Sequence, residues 1–238
     1  MSEFRRFFVD KIDSVTTIEG DEFHHAVSVL RIKQGEKVIL CDNSGYEYLG
    51  IVSEIAKKQI SVKVESKELS TTETKNKVIL IAGYLKGDKT ELVVQKAVEL
   101  GVREIVVFNS KFCSSYINDN KLSRLNRVSV EASKQCGRAI APKVIYKDTF
   151  KEALECALDY KNKIFACEFS QGSEIDISVL SGSTAIVVGS EGGFSPEEAK
   201  LATQLGYKTI SLGKRILRAE TACLALTSIV MNSLGELK

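Results

Sequence analysis

Val187-Val188-Gly189-Ser190-Glu191-Gly192-Gly193-Phe194-Ser195-Pro196-Glu197-Glu198 decides how this chain folds. An apolar strand, read over 184–188, runs into a loop with three glycines. Glycine permits backbone conformations and close approaches that other residues cannot make. Ser195, Pro196 and Glu198 then supply an N-cap, a first-turn proline and a capping-box carboxylate. They predict a helix that runs to about Leu205 and stops at Gly206. Strand, glycine loop and helix in succession put a ligand pocket at the carboxyl end of a sheet.

A second stretch repeats the arrangement after a strand read over 208–212. In Ser211-Leu212-Gly213-Lys214-Arg215-Ile216-Leu217-Arg218-Ala219-Glu220-Thr221, Gly213 opens the loop and Ile216-Leu217 precede Arg218. Apolar side chains there can line an adenine slot while backbone amides and carbonyls read its edge. A glycine alone is usually a plain turn; two such loops close together weaken that reading.

The rest of the chain organises around these loops. Residues 1–70 are β-rich: 37–41 reads as a strand, Asp42-Asn43-Ser44-Gly45 as a turn, and 46–55 and 59–64 as further strands. Short strands with tight turns predict a small barrel. The polar stretch 66–77 is the linker candidate. From residue 73 to 238 the pattern is α/β. Strands are read over 78–82, 104–108, 163–167, 184–188 and 208–212, and a helix from Asp88 to Leu100, with Asp88 as its cap and Gly101 as its stop. This alternation predicts a parallel sheet covered by helices.

Composition excludes several classes. The 238 residues are 44% hydrophobic, with a net charge of +2. No apolar stretch is long enough to span a bilayer, and the first ten residues lack a signal-peptide core. The six cysteines form no Cys-x-x-Cys pair and the two histidines, His24 and His25, are adjacent, so no metal site is expected. Reduced cysteines point to a cytoplasmic protein. Gly83-Tyr84-Leu85-Lys86-Gly87-Asp88-Lys89-Thr90 is not a P-loop, because Asp88 separates Gly87 from Lys89 and would repel phosphate. Positive charge gathers over 111–147, where Lys121, Arg124, Arg127 and Lys134 recur at helical spacing. That stripe is either a polyanion-binding face or a solvated helix surface.

These motifs resemble the RsmE family of 16S rRNA (uracil-N3)-methyltransferases, within the knotted SPOUT superfamily. The resemblance covers essentially the whole chain. Arg5-Arg6-Phe7-Phe8-Val9 and His24-His25-Ala26-Val27-Ser28-Val29-Leu30-Arg31 are similar to its N-terminal PUA-like RNA-binding barrel. The stretches 91–102 and 131–138 are similar to its first catalytic-domain helix and its central helix end. Two departures stand out: Ser190, where the family usually has proline, and Phe112-Cys113-Ser114-Ser115, where more charge is usual.

The resemblance implies a trefoil knot, a homodimer and S-adenosyl-L-methionine as cofactor. It also implies 16S rRNA as substrate, within the assembled small ribosomal subunit. The implied cofactor residues are Cys167, Gly189, Glu191, Gly192, Gly193, Leu212, Gly213, Ile216 and Leu217. Arg218 is the first choice for stabilising a uracil anion. Glu191 is a base or orienter, or simply an acceptor for loop amides. Arg5, Arg6, Arg31 and Arg138 are the implied RNA contacts. Glu220 and Thr221 read as caps of a final helix over 219–234. Two other readings stay open: a knotted enzyme with another target atom, and a non-catalytic RNA-binding or ribosome-assembly factor.

Overall fold

The computed structural model describes residues 4–113, 116–167 and 175–237, which divide into two compact units. The first runs to Glu73 and also takes in Ser133–Ala141. Its strands are β1 (Arg5–Phe8), β2 (Val15–Glu19), β3 (Lys37–Cys41), β4 (Tyr46–Ile55) and β5 (Gln59–Leu69). They lie in the order β1-β3-β4-β5-β2, with β1 parallel to β3 and the other pairs antiparallel. Among the described residues β1 and β2 do not pair, so the expected barrel is a half-barrel. Alternate residues of β2 and β3 point inward, and Phe7, Ile18, Val38, Leu40, Ile60 and Val62 are fully buried. Each contributes about 1.5–3 kcal/mol of burial. Register shifts at Leu49/Gly50 and Val52/Glu54 bend β4 against β5. A helix, α1 (Gly20–His24), continues into a π-helical turn over His25–Val29.

β5 pairs with β4 as far as Leu69, so the polar stretch 66–77 begins as strand. A carboxylate just after it organises a buried site. Arg138 Nη2 donates to Glu73 Oε2 at 2.9 Å, and the Ala139 and Ile140 amides donate to Glu73 Oε1 at 3.0 Å each.

The second unit is a six-stranded sheet, all parallel, made of β6 (Val78–Gly83), β7 (Glu104–Phe108), β8 (Val144–Lys147), β9 (Asn162–Ala166), β10 (Thr184–Val188) and β11 (Lys208–Ile210). The order is β11-β9-β10-β6-β7-β8. β6 and β10 are buried along their whole length, which explains their unbroken apolar sequence. The helices are α2 (Lys89–Glu99), α3 (Asp119–Cys136), α4 (Phe150–Glu155), α5 (Pro196–Gln204) and α6 (Ala219–Ser233). The final helix α6 packs on α2, β10 and β6. Among the described residues no helix is long and apolar enough to cross a membrane.

Two caps differ in outcome. Ser195 and Glu198 form the capping box read from the sequence. Asp88 precedes α2 without any side-chain cap. Thr90 Oγ1 instead accepts from the Leu85 amide at 2.9 Å, and Glu91 pairs with Arg124 Nε at 2.7 Å. The segment before α2 is therefore turned by a threonine, which the capping pattern did not single out.

Gly83 closes β6 where the backbone of β10 turns into its glycine loop. A Cβ on Gly83 would collide with the Ser190 amide nitrogen and lie 2.9 Å from the Gly189 carbonyl carbon. Both obstacles are backbone. Gly83→Ala should therefore destabilise the protein by about 1–3 kcal/mol, a cost typical of forced overpacking. The check is the urea midpoint; an unchanged midpoint would show that the two strand ends can separate without cost.

Candidate active site

Three loops meet at the carboxyl ends of β9, β10 and β11. Together they line a cavity of about 490 Å³. Its wall includes Ala166 and Cys167 after β9, Val188 to Glu191 and Gly193 after β10, and Ile210 to Ala219 after β11. Lys89 and Ala222 complete it from α2 and α6. The size is that of a small-molecule site.

The β10 loop is held from three sides. Gly193 N donates to Ser190 O at 3.0 Å, closing a four-residue turn with Glu191 and Gly192 at its centre. Phe194 is 2% exposed and sits among Phe108, Phe150 and Phe165, with its ring centroid 4.5 Å from that of Phe165. A Cβ on Gly189 would press on the Phe194 ring at 3.0 Å, so that glycine admits the anchor. The Ser110 and Ser190 hydroxyls, both buried, lie 2.6 Å apart in a hydrogen bond. The serine that departs from the family pattern thus gains a partner in the loop after β7.

Gly192 does not line the cavity. Its missing side chain makes room for Phe112, whose carbonyl oxygen would lie 2.8 Å from a Cβ there. Gly192 thus lets two loops pack against each other beside the cavity. Ser114 and Ser115, in the other departure, lie outside the described residues. The remaining expected cofactor residues, Cys167, Gly189, Glu191, Gly193, Leu212, Gly213, Ile216 and Leu217, all line the one cavity. Ile216 stands at its rim, 94% exposed. Gly213 has φ +100, a left-handed value that favours glycine, and open space where a side chain would project.

Glu191, at the centre of the β10-loop turn, is an exposed residue whose carboxylate folds back onto the start of α2. Its Oε1 accepts from the Lys86 amide at 3.0 Å and from Lys89 Nζ at 3.4 Å. Partial burial opposes its ionisation, but hydrogen bonds from its own amide, the Lys86 amide and Lys89 outweigh that and hold the carboxyl below its usual range. A carboxylate stabilised in this way is a weak base, so Glu191 acts as the acceptor for loop amides. Lys89, which sequence reasoning passed over, is the cation that α2 brings to the cavity; its position at the start of the helix gave no motif to find it by.

Arg218 is exposed on the cavity wall as the N-cap residue of α6. Among the described residues its guanidinium has no partner. Glu220 was expected to cap α6, yet makes no cap bond; its Oε1 lies 3.8 Å from Lys89 Nζ and its Oε2 is buried without a partner.

The implied RNA contacts divide. Arg6 is 6% exposed, bonded to Cys41 Sγ at 3.1 Å and paired with Glu47 at 3.2 Å. Arg138 is 2% exposed in its pair with Glu73. Both are internal framework, and neither guanidinium is offered to a ligand, which corrects the reading of both as RNA contacts. Arg5 shares an exposed pair with Glu36, and Arg31 is exposed with φ 51, in the left-handed region. Of the basic stripe, only Lys134 is sheltered; Lys121, Arg124 and Arg127 stay exposed. Lys134 Nζ lies 2.6 Å from Glu22, Arg124 serves Glu91, and Lys121 donates to the Tyr116 carbonyl. Among the described residues no cluster of histidine, cysteine and carboxylates could hold a metal.

An all-parallel sheet with paired glycine loops at the carboxyl ends of its strands, in one chain with a small half-barrel, is the build of an RNA methyltransferase. The RNA methyltransferase domain family matches residues 72–231, and the RNA methyltransferase PUA domain matches residues 18–65. The chain belongs to the ribosomal RNA small subunit methyltransferase E family. It is 30% identical to that protein of Bacillus subtilis, over 95% of each chain. It is 33% identical to that of Mesomycoplasma hyopneumoniae, over 93% of this chain and 96% of the other. The Neisseria gonorrhoeae enzyme, solved bound to S-adenosyl methionine, superposes with a TM-score of 0.83 at 26% identity, over 98% of both chains. A Legionella pneumophila methyltransferase, solved with SAM, gives 0.88 at 26% identity, over 97% and 98%.

The state of Glu191 sets a pH signature. A carboxyl with a depressed folded-state pKa stabilises above its ordinary value near 4.5 and loses that contribution as pH falls through the folded value. Wild type should therefore exceed Glu191→Gln in unfolding free energy at pH 7, and the gap should close on acidification below pH about 4. Urea titrations at the two pH values measure it; a gap independent of pH would contradict the bonding described.

Proposed function

We propose that this protein methylates uracil N3 of a specific uridine in 16S rRNA, using S-adenosylmethionine. The observation that carries the reading is the single cavity that gathers both glycine loops, with an unpaired arginine on its wall. The residues fit the cofactor. Val188, Ile210, Leu212 and Leu217 offer an apolar bed for an adenine. Glycine at 189, 193 and 213 keeps the backbone close, and the Glu191 carboxylate on the wall suits a cation.

S-adenosylmethionine, when bound, supplies an electrophilic methyl on a sulfonium. Uracil N3 must lose a weakly acidic proton before it can accept that methyl. Arg218, permanently charged and free of internal partners, favours the uracil anion by donating to a carbonyl oxygen. Lys89 and the Lys86 amide fix Glu191 and so fix the loop that bounds the site. Stabilising the anion makes N3 more acidic, so that a modest base suffices to take its proton. Arg5 and Arg31, the two exposed members of the set, are the RNA contacts of the first unit. Arg31 holds a conformation that costs a non-glycine residue on the order of 1 kcal/mol, which suits retention for a ligand.

The assembled small subunit in the cytoplasm is the proposed substrate, with a homodimer as the working form. Leu92 on α2 and Ile229 on α6 are 40% and 46% exposed on helices that pack together, which supports a partner copy there. A trefoil knot is part of the same reading. β11 lies beyond β9 at the sheet edge, while α6 returns to the central strands.

Two measurements test this. Small subunits from cells lacking the gene should gain 3-methyluridine on incubation with the protein and S-adenosylmethionine, read by nucleoside mass spectrometry. Appearance of a ribose methyl or another methylated base would move the target atom. Arg218→Ala should leave the melting temperature unchanged while single-turnover methylation falls on the order of 10²-fold, with only partial rescue by lysine. Arg138→Ala should behave oppositely, losing about 3–5 kcal/mol of stability because it strands Glu73 in the interior. Early melting of Arg218→Ala would instead assign that residue to the framework.

A further inference from the structure

Lys89 stands between two carboxylates brought from distant parts of the chain. Its Nζ is 3.4 Å from Glu191 Oε1 and 3.8 Å from Glu220 Oε1. One cation therefore faces two anions, leaving an excess of one negative charge. The less exposed anion is Glu220, whose side chain is only 13% exposed and whose Oε2 is buried with no hydrogen-bond partner among the described residues. Glu220 is not itself a lining residue; its carboxylate reaches the cavity through Lys89, which lines it. Its field is felt by its neighbour: burial first, and then Glu220, push the Cys223 thiol up to about 12.

The other charges at the cavity are Lys214, Arg215 and Arg218, all exposed. Solvent screens them, and they suit the phosphates and carbonyls of an incoming RNA. The sheltered Glu220 counts more than any of these exposed charges, because Coulomb energies rise as the effective dielectric constant falls. A burial of this kind is unfavourable for an isolated carboxylate unless a positive group completes it. Lys89 completes Glu191 and only partly completes Glu220.

We propose that the Glu191–Lys89–Glu220 array makes the pocket discriminate by charge, favouring the cationic methyl-bearing cofactor over its neutral thioether product. The inference rests on the S-adenosylmethionine reading above. The two molecules differ by one methyl group and one positive charge, and transfer of the methyl to the uracil anion cancels both charges. An uncompensated carboxylate senses that difference. The completed reaction then leaves Glu220 without its counter-charge, which speeds departure of the product. Lys89 tempers the effect, since without it the excess would be two charges.

Calorimetric titration of the full-length protein with S-adenosylmethionine and, separately, S-adenosylhomocysteine tests this without any turnover. The quantity read is the ratio of the two dissociation constants. Glu220→Gln, which keeps the shape, should shift that ratio against S-adenosylmethionine on the order of tenfold and leave S-adenosylhomocysteine nearly unchanged. Lys89→Met should shift it the other way. Both shifts should shrink in high salt. Equal weakening of the two ligands in Glu220→Gln, or an unchanged ratio in both variants, would overturn the inference and assign the array to loop bracing. Failure of the wild type to bind either ligand would remove the cofactor reading, and this inference with it.

Discussion

Two strand ends touch backbone to backbone where Gly83 meets Gly189 and Ser190, and the site depends on that approach. A side chain at 83 would push the β10 loop outward. With the strands this close, Ser190 reaches Ser110, Glu191 reaches the Lys86 amide and Lys89, and Phe194 drops into the aromatic core. The loop is therefore held by the sheet's own spacing, reinforced by one buried hydroxyl pair and one ring. Such a loop presents fixed backbone groups to a ligand and needs little reordering on binding.

Cations in this protein have two distinct fates. Arg6, Arg138 and Lys134 are sheltered and bound to carboxylates, and removing their partners would leave buried charge. Arg31, Arg218 and the loop residues Lys214 and Arg215 are exposed. Net charge and helical spacing cannot separate these groups. Burial can, and it moves two of the four RNA contacts read from the sequence into the framework. The remaining exposed arginines serve a polyanion whose binding is expected to weaken with salt.

How much was legible follows from what each signal encodes. The parallel sheet could be read because β6 and β10 are buried on both faces and hence apolar at every position. The capping box at Ser195 is local chemistry, and local chemistry is written in adjacent residues. The cavity membership of Gly189, Gly193, Gly213 and Leu217 followed from loops after strands. Asp88 misled because a capping residue type is compatible with a turn that Thr90 builds instead. The packing of Gly192 against Phe112 could not be read, because the two are far apart in sequence. Lys89 was passed over and Glu220 was read as a helix cap for the same reason: their pairing lies in a meeting of α2 and α6, which no spacing along the chain records.

The membership of Ser133–Ala141 in the first unit has a consequence for taking the protein apart. That unit is discontinuous: its chain leaves at Glu73, and a short return segment carries Arg138. No single cut divides the polypeptide into two self-sufficient pieces. A fragment ending near residue 73 keeps the Glu73 carboxylate but discards the guanidinium and the two amides that satisfy it. The complementary fragment carries an arginine shaped for burial with nothing to bury it against. Genetic dissection of such a chain reports on mutilation as much as on modularity, and a clean separation requires grafting the 133–141 stretch back onto the first piece through a loop of its own.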